Sequence, residues 1–139
     1  MRVDVTSRPK AHGLIAGAAL AWNLLGLAMF AMQMSMSPGQ VAALPAPDRS
    51  VVEATPGWLT AAFGVATGAG VLGSIGLLLR QRWAVPSLAV SLVALFVQIG
   101  GAYLVTPAWA ASGAAGLVLP VLLVAVGALL VRYARRATA

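Results

Sequence analysis

Cysteine is missing from this 139-residue chain, and histidine occurs once, as His12. The first absence excludes disulfide frameworks, thiol redox chemistry and thiolate-held metal; the second leaves no set of imidazoles for a metal or haem site. Charge is scarce too. Asp4, Asp48 and Glu53 are the only carboxylates, and charged residues make up 9% of the chain, with a net charge of +6. A water-soluble domain carries about 25% charged residues. With 60% of its residues hydrophobic, this chain has more apolar surface than a soluble fold of its length can hide, so the excess belongs against lipid.

What the sequence does have is four charge-free apolar runs, at about 11–33, 58–79, 84–104 and 114–131. Roughly 20 apolar residues in a helix cross a hydrocarbon core, and no window alternates as a barrel strand does. The expected fold is all-α: a single domain over 1–139 forming a four-transmembrane-helix bundle, with a short periplasmic cap from 34–57. Arg2, Arg8, Lys10, Arg80, Arg82, Arg132, Arg135 and Arg136 fall on one side of these runs and Arg49 alone on the other. The positive-inside rule then places both termini and the 80–82 turn in the cytoplasm of a bacterial inner-membrane protein. Trp58, Tyr103 and Trp109 mark the outer interface, Trp83 and Tyr133 the inner one. The positive charges are short flanks of helices, which points to the lipid bilayer as partner and not to nucleic acid. The basic start MRVDVTSRPK precedes a run too long for a secretory signal and without a cleavage site, so uncleaved insertion is expected.

Helices in lipid associate through close backbone approach at small residues. Gly13 and Gly17 form one GxxxG pair and Gly64 and Gly68 another, while Gly70, Gly73 and Gly76 extend a bare strip along the second span, the expected central helix. These glycines fit intramolecular packing; a homodimer face or a sliding gate is the alternative. Outside the spans, Ser37-Pro38-Gly39-Gln40 has the form of a capping box opening a short helix. Asp48 is placed to cap a second turn in which Arg49 and Glu53 stand four apart.

No ionisable group falls at membrane depth, where one would mark function. Proton-coupled antiport is therefore disfavoured. Paired catalytic carboxylates and phosphate-binding loops are also missing, and His12 and Lys10 lie away from Ser74, Ser87 and Ser91, so neither an enzyme nor a cofactor is expected. The deep polar residues are Asn23, Gln98, Ser74, Ser91, Thr60 and Thr67. Trp22, Asn23 and Gln98 form the candidate intramembrane polar site: either a pocket for a neutral solute, or an Asn23–Gln98 hydrogen bond that fixes helix register. Met29, Met32 and Met36 share a helix face at a spacing that suits Cu(I), although methionine more commonly fills gaps.

The stretches AWNLLGLAMFAMQMSMS, EATPGW and LLLRQRWAVP resemble a family of small four-span bacterial inner-membrane proteins often labelled sugar transporters. The resemblance covers spans one to three; the fourth agrees only in hydropathy. It implies the architecture and transfers no substrate or site residue, though Trp22, Asn23 and Gln33 fall within it. Two functions follow as expectations: an accessory or structural membrane component with a homo-oligomer or larger membrane complex as its setting, or an oligomeric small-solute transporter.

Overall fold

The computed structural model describes residues 7–138, without the side chains of 7–10, 112 and 114; Arg2 and Asp4 lie outside the described residues. The helices are α1 (Ser7–Met34), α2 (Pro38–Ala42), α3 (Ala46–Ala54), α4 (Gly57–Leu78), α5 (Ala84–Val105), α6 (Ala108–Ser112) and α7 (Val118–Ala137), with a 3-10 turn at Ala114–Leu117 before the last. Four stretches, Ala11–Met34, Gly57–Leu78, Ala84–Val105 and Ala115–Ala137, are long and apolar enough to cross a membrane. The protein is an all-α bundle of four such helices and hence a multi-pass membrane protein. Helix α4 packs on both α1 and α5, and α7 packs on α5. The second span, expected to be central, shares the inner position with α5. Helices α1 and α7, first and last in the row, share no extended contact.

The cap follows the local rules, with two corrections. Ser37 Oγ accepts from the Gln40 amide at 3.2 Å, and Gln40 Oε1 accepts from the Ser37 amide at 2.8 Å, completing the capping box. Helix α3, however, starts earlier than Asp48: Pro45 is its N-cap, and Asp48 sits in the first turn, where a carboxylate favours the helix dipole. Arg49 donates to the Ala42 carbonyl at 3.2 Å, tying α3 back to α2 in place of the expected reach toward Glu53. The last span also differs from expectation. Residues 114–117 form a 3-10 turn after Gly113 at φ 61°, and α7 runs past 131 to Ala137. Arg135 and Arg136 fall in its final turn, where cations stabilise the exposed carbonyls, so the charges that end the apolar run prolong the helix.

Arg80 takes a left-handed conformation at φ 55°. Its amide donates to the Leu77 carbonyl at 3.1 Å and that of Gln81 to the Gly76 carbonyl at 2.8 Å, a Schellman closure of α4 in which glycine is the usual residue. Arg80→Gly is accordingly expected to stabilise the fold by about 1 kcal/mol. Denaturant unfolding in detergent micelles checks this, and a loss of stability would show that the arginine side chain contributes more than its backbone conformation costs.

Glycines let the spans approach. A Cβ added at Gly73 would lie 2.6 Å from Leu88 Cγ and 3.0 Å from the Leu88 backbone nitrogen; one at Gly76 would lie 2.7 Å from the Trp83 ring, and one at Gly64 2.9 Å from the Phe30 ring. Gly70 leaves room for Asn23, and Gly101 for Leu59 and Trp58. By contrast, Gly13, Gly17 and Gly68 have no atom of the described residues within 4 Å of an added Cβ, so none of the three packs against another described helix. The α4 strip of Gly70, Gly73 and Gly76 supplies the close packing, and of the two GxxxG pairs only Gly64 takes part. The tightest core gathers Ala16, Leu77, Ala84, Leu88 and Ala134 from all four spans. It lies at the end that carries both termini, opposite the α2–α3 cap.

Candidate intramembrane binding site

Halfway along α1, Asn23 turns toward α4, where Gly70 offers no side chain to obstruct it. Its amide nitrogen donates to the Ala19 carbonyl at 2.8 Å and to Ser74 Oγ at 3.1 Å. Ser74, fully buried, in turn donates to the Gly70 carbonyl at 2.8 Å. On α5, Ser91 donates across to the Ala66 carbonyl of α4 at 2.5 Å. The partner of Asn23 is thus Ser74, whereas the sequence suggested Gln98. Gln98 lies two turns beyond Ser91 toward the cap, about 10 Å along α5, and its side chain makes no hydrogen bond among the described residues. Every sealed side-chain nitrogen and oxygen among those residues has a partner. The amide oxygen of Asn23, set against Gly70, and the amide of Gln98 have no partner among those residues and are not fully sealed from the surrounding space.

That space is a cavity of about 440 Å³ between α1, α4, α5 and α7, and Trp22, Asn23 and Gln98 all line it. Its size falls within the usual small-molecule range of roughly 300–1,000 Å³. Most of the wall is aliphatic, with Thr67, Ser91 and Tyr103 as the other hydroxyl-bearing residues. Thr67 Oγ1 is already engaged with the Phe63 carbonyl at 3.0 Å, as Ser91 is with Ala66. Besides the Asn23 and Gln98 amides, the Trp22 indole and the Tyr103 hydroxyl add hydrogen-bonding capacity to the wall, and none of the four carries a charge.

Toward the cap, Phe63, Gln98 and Ala102 also line a second cavity, a vestibule of about 890 Å³ roofed by α2 and α3. Gln33, Gln40, Thr55 and Thr60 make its wall more polar, and Asp48 is its one charged residue. Phe63 stands at the junction and meets Phe30 edge to face, with centroids 5.5 Å apart. Helix α1 ends at Met34, so Met36 does not continue the face of Met29 and Met32 as expected; Met32 and Met36 line the vestibule and Met29 the inner cavity, as flexible apolar lining.

The opposite end is closed by the single histidine, which sequence reasoning had left without a role. His12 is buried, its Nε2 2.8 Å from the Leu77 carbonyl and its Nδ1 2.7 Å from the Tyr133 hydroxyl. The carbonyl can only accept, so Nε2 carries the proton and Tyr133 donates to Nδ1 when the ring is neutral. One imidazole thus joins α1, α4 and α7 beside the small-residue core. The only sequence signal for it was a polar ring at the start of an apolar run, with a tyrosine near the far end of the chain.

These features define a class: a four-span membrane protein whose bundle is fastened at the terminal end, with one cavity among the spans and a second under the cap. No family model, curated protein or solved structure matches the chain. Among the described residues no three His, Cys, Asp or Glu side chains gather as a metal site would require.

Proposed function

We propose that this protein binds a small uncharged molecule inside its bundle and serves as the membrane-embedded part of a solute-handling system, without catalytic machinery of its own. The observation that carries this reading is the convergence of Trp22, Asn23 and Gln98 on one cavity, with amide atoms left unpaired there. The Asn23–Gln98 bond that would fix helix register is not formed: Asn23 bonds Ser74, and Gln98 stays on the cavity wall. Transport is the natural extension. The cavity shares Phe63, Gln98 and Ala102 with the vestibule and is packed shut at the terminal end, so passage would require the His12 fastening to part. The charge distribution supports a bacterial inner membrane with both termini cytoplasmic, which makes the capped end the outer one. The family resemblance is compatible with this placement.

Native mass spectrometry of protein extracted with its surrounding lipid in polymer-bounded discs tests the reading. A retained small molecule is expected in the wild type, with its occupancy falling at least about tenfold in the Asn23→Leu/Gln98→Leu double variant, since each lost hydrogen bond is worth about 1 kcal/mol. Equal recovery from both proteins, or none from either, contradicts it.

A second reading, an accessory component of a larger complex or a homo-oligomer, draws on α7. That helix packs mainly on α5 and exposes Val118, Leu119, Val121, Leu122 and Leu129, and Gly13 and Gly17 likewise face outward. In that case mild extraction recovers a stoichiometric partner or a second copy.

A further inference from the structure

We infer that the ligand of this cavity is a single-chain amphiphile with an uncharged, hydrogen-bonding headgroup, taken from the bilayer through the gap between α1 and α7. The inference rests on the binding reading above and specifies its ligand. Three observations lead to it. First, α1 and α7 meet at the His12–Tyr133 junction and share no extended contact beyond it. Leu25 and Met29 on α1 and Leu119 on α7 line the cavity and are at the same time more than half exposed, so they form the lips of a slot facing the hydrocarbon. A slot flanked by aliphatic side chains admits a hydrocarbon chain and offers nothing to hold a hydrated solute.

Second, polarity is graded along the space. The inner cavity is aliphatic around its two amides, while the vestibule carries glutamines and threonines, and Gln98 stands on the wall between them. A tail lying beside Trp22 would bring a headgroup to Gln98 and under the cap. Third, the vestibule has one carboxylate, Asp48, and no cationic residue in its lining. An anionic phosphate head would meet repulsion there with nothing to neutralise it; hydroxyl or amide groups would find matching donors and acceptors.

The test uses the protein in phosphatidylcholine nanodiscs and a monoacylglycerol whose chain carries two bromine atoms, which quench indole fluorescence at short range. The signal at Trp22 is the difference between wild type and Trp22→Phe. Saturable quenching at Trp22 is expected, absent with dibrominated phosphatidylcholine, whose two chains sample only the annulus. Gln98→Leu should weaken the apparent affinity about tenfold, and Ala102→Phe, which fills the junction, should abolish it. Lysophosphatidylglycerol should compete at least tenfold less well than unbrominated monoacylglycerol. Equal competition by the two overturns the headgroup assignment. If free glycerol shifts the protein's melting temperature while the amphiphile gives no saturable quenching, the ligand class is wrong and the binding reading stands. If no probe binds and Gln98→Leu changes nothing, both fall together.

Discussion

Replacing Gly73 by valine is expected to lower the stability of the bundle by about 3 kcal/mol, among the largest effects of any single substitution in the chain. The branched side chain would start where Leu88 already sits, and the contact includes the Leu88 backbone nitrogen, which no rotamer change can move. Helices α4 and α5 would have to separate. In lipid, dispersion between closely approached backbones is the main attraction available, so that separation weakens the contact along its length. Gly68→Val makes the control: nothing lies within 4 Å of its added Cβ, and a change below about 0.5 kcal/mol is expected. Denaturant titration of both variants in one detergent supplies the comparison, and equal losses would mean that helix α4 and not its packing sets the outcome.

His12→Ala is expected to cost about 2–3 kcal/mol, because it removes two hydrogen bonds and leaves the Tyr133 hydroxyl without its partner beside a packed core. The distinctive consequence is geometric. Helix α7 is held to α1 chiefly at this point, so spin labels on the two helices near the termini should report a longer and broader distance distribution. His12→Gln, which can still donate to the Leu77 carbonyl, should retain part of the stability. If His12→Ala leaves both stability and distances unchanged, the imidazole is not what fastens the terminal end.

The architecture was legible because its cause is one-dimensional. Four runs without charge leave no other fold in lipid, and the capping box at Ser37 and Gln40 acts within four residues. Charge at a helix end was less transparent: the arginines at 132, 135 and 136 end the apolar run yet continue the helix, since the dipole welcomes them. The glycines show the limit of spacing as a guide. Gly13 and Gly17 have the same separation as Gly64 and Gly68, but which faces meet is decided by how α1 lies on α4, and that depends on Phe30 and Asn23 fitting the bare positions Gly64 and Gly70. The candidate site was legible as a set and not as a network. Trp22, Asn23 and Gln98 share a cavity because they are the polar or oversized residues at depth. That Asn23 pairs with Ser74, leaving Gln98 open, follows from their axial offset across two helices. His12 was invisible for a similar reason: its partners are 65 and 121 residues away.

The account depends above all on the space around Gln98 being open and reachable from the capped end. Because the chain contains no cysteine, Gln98→Cys introduces a lone thiol at the wall between the two cavities. In proteoliposomes of defined orientation, a small, charged, membrane-impermeant thiol reagent added to the capped side should modify it, while Leu77→Cys, fully enclosed at the terminal end, should stay unmodified until the protein is unfolded. Protection of the thiol at position 98 to the same degree as that at 77 would mean the helices pack dry there, and a binding protein would not be what this bundle is.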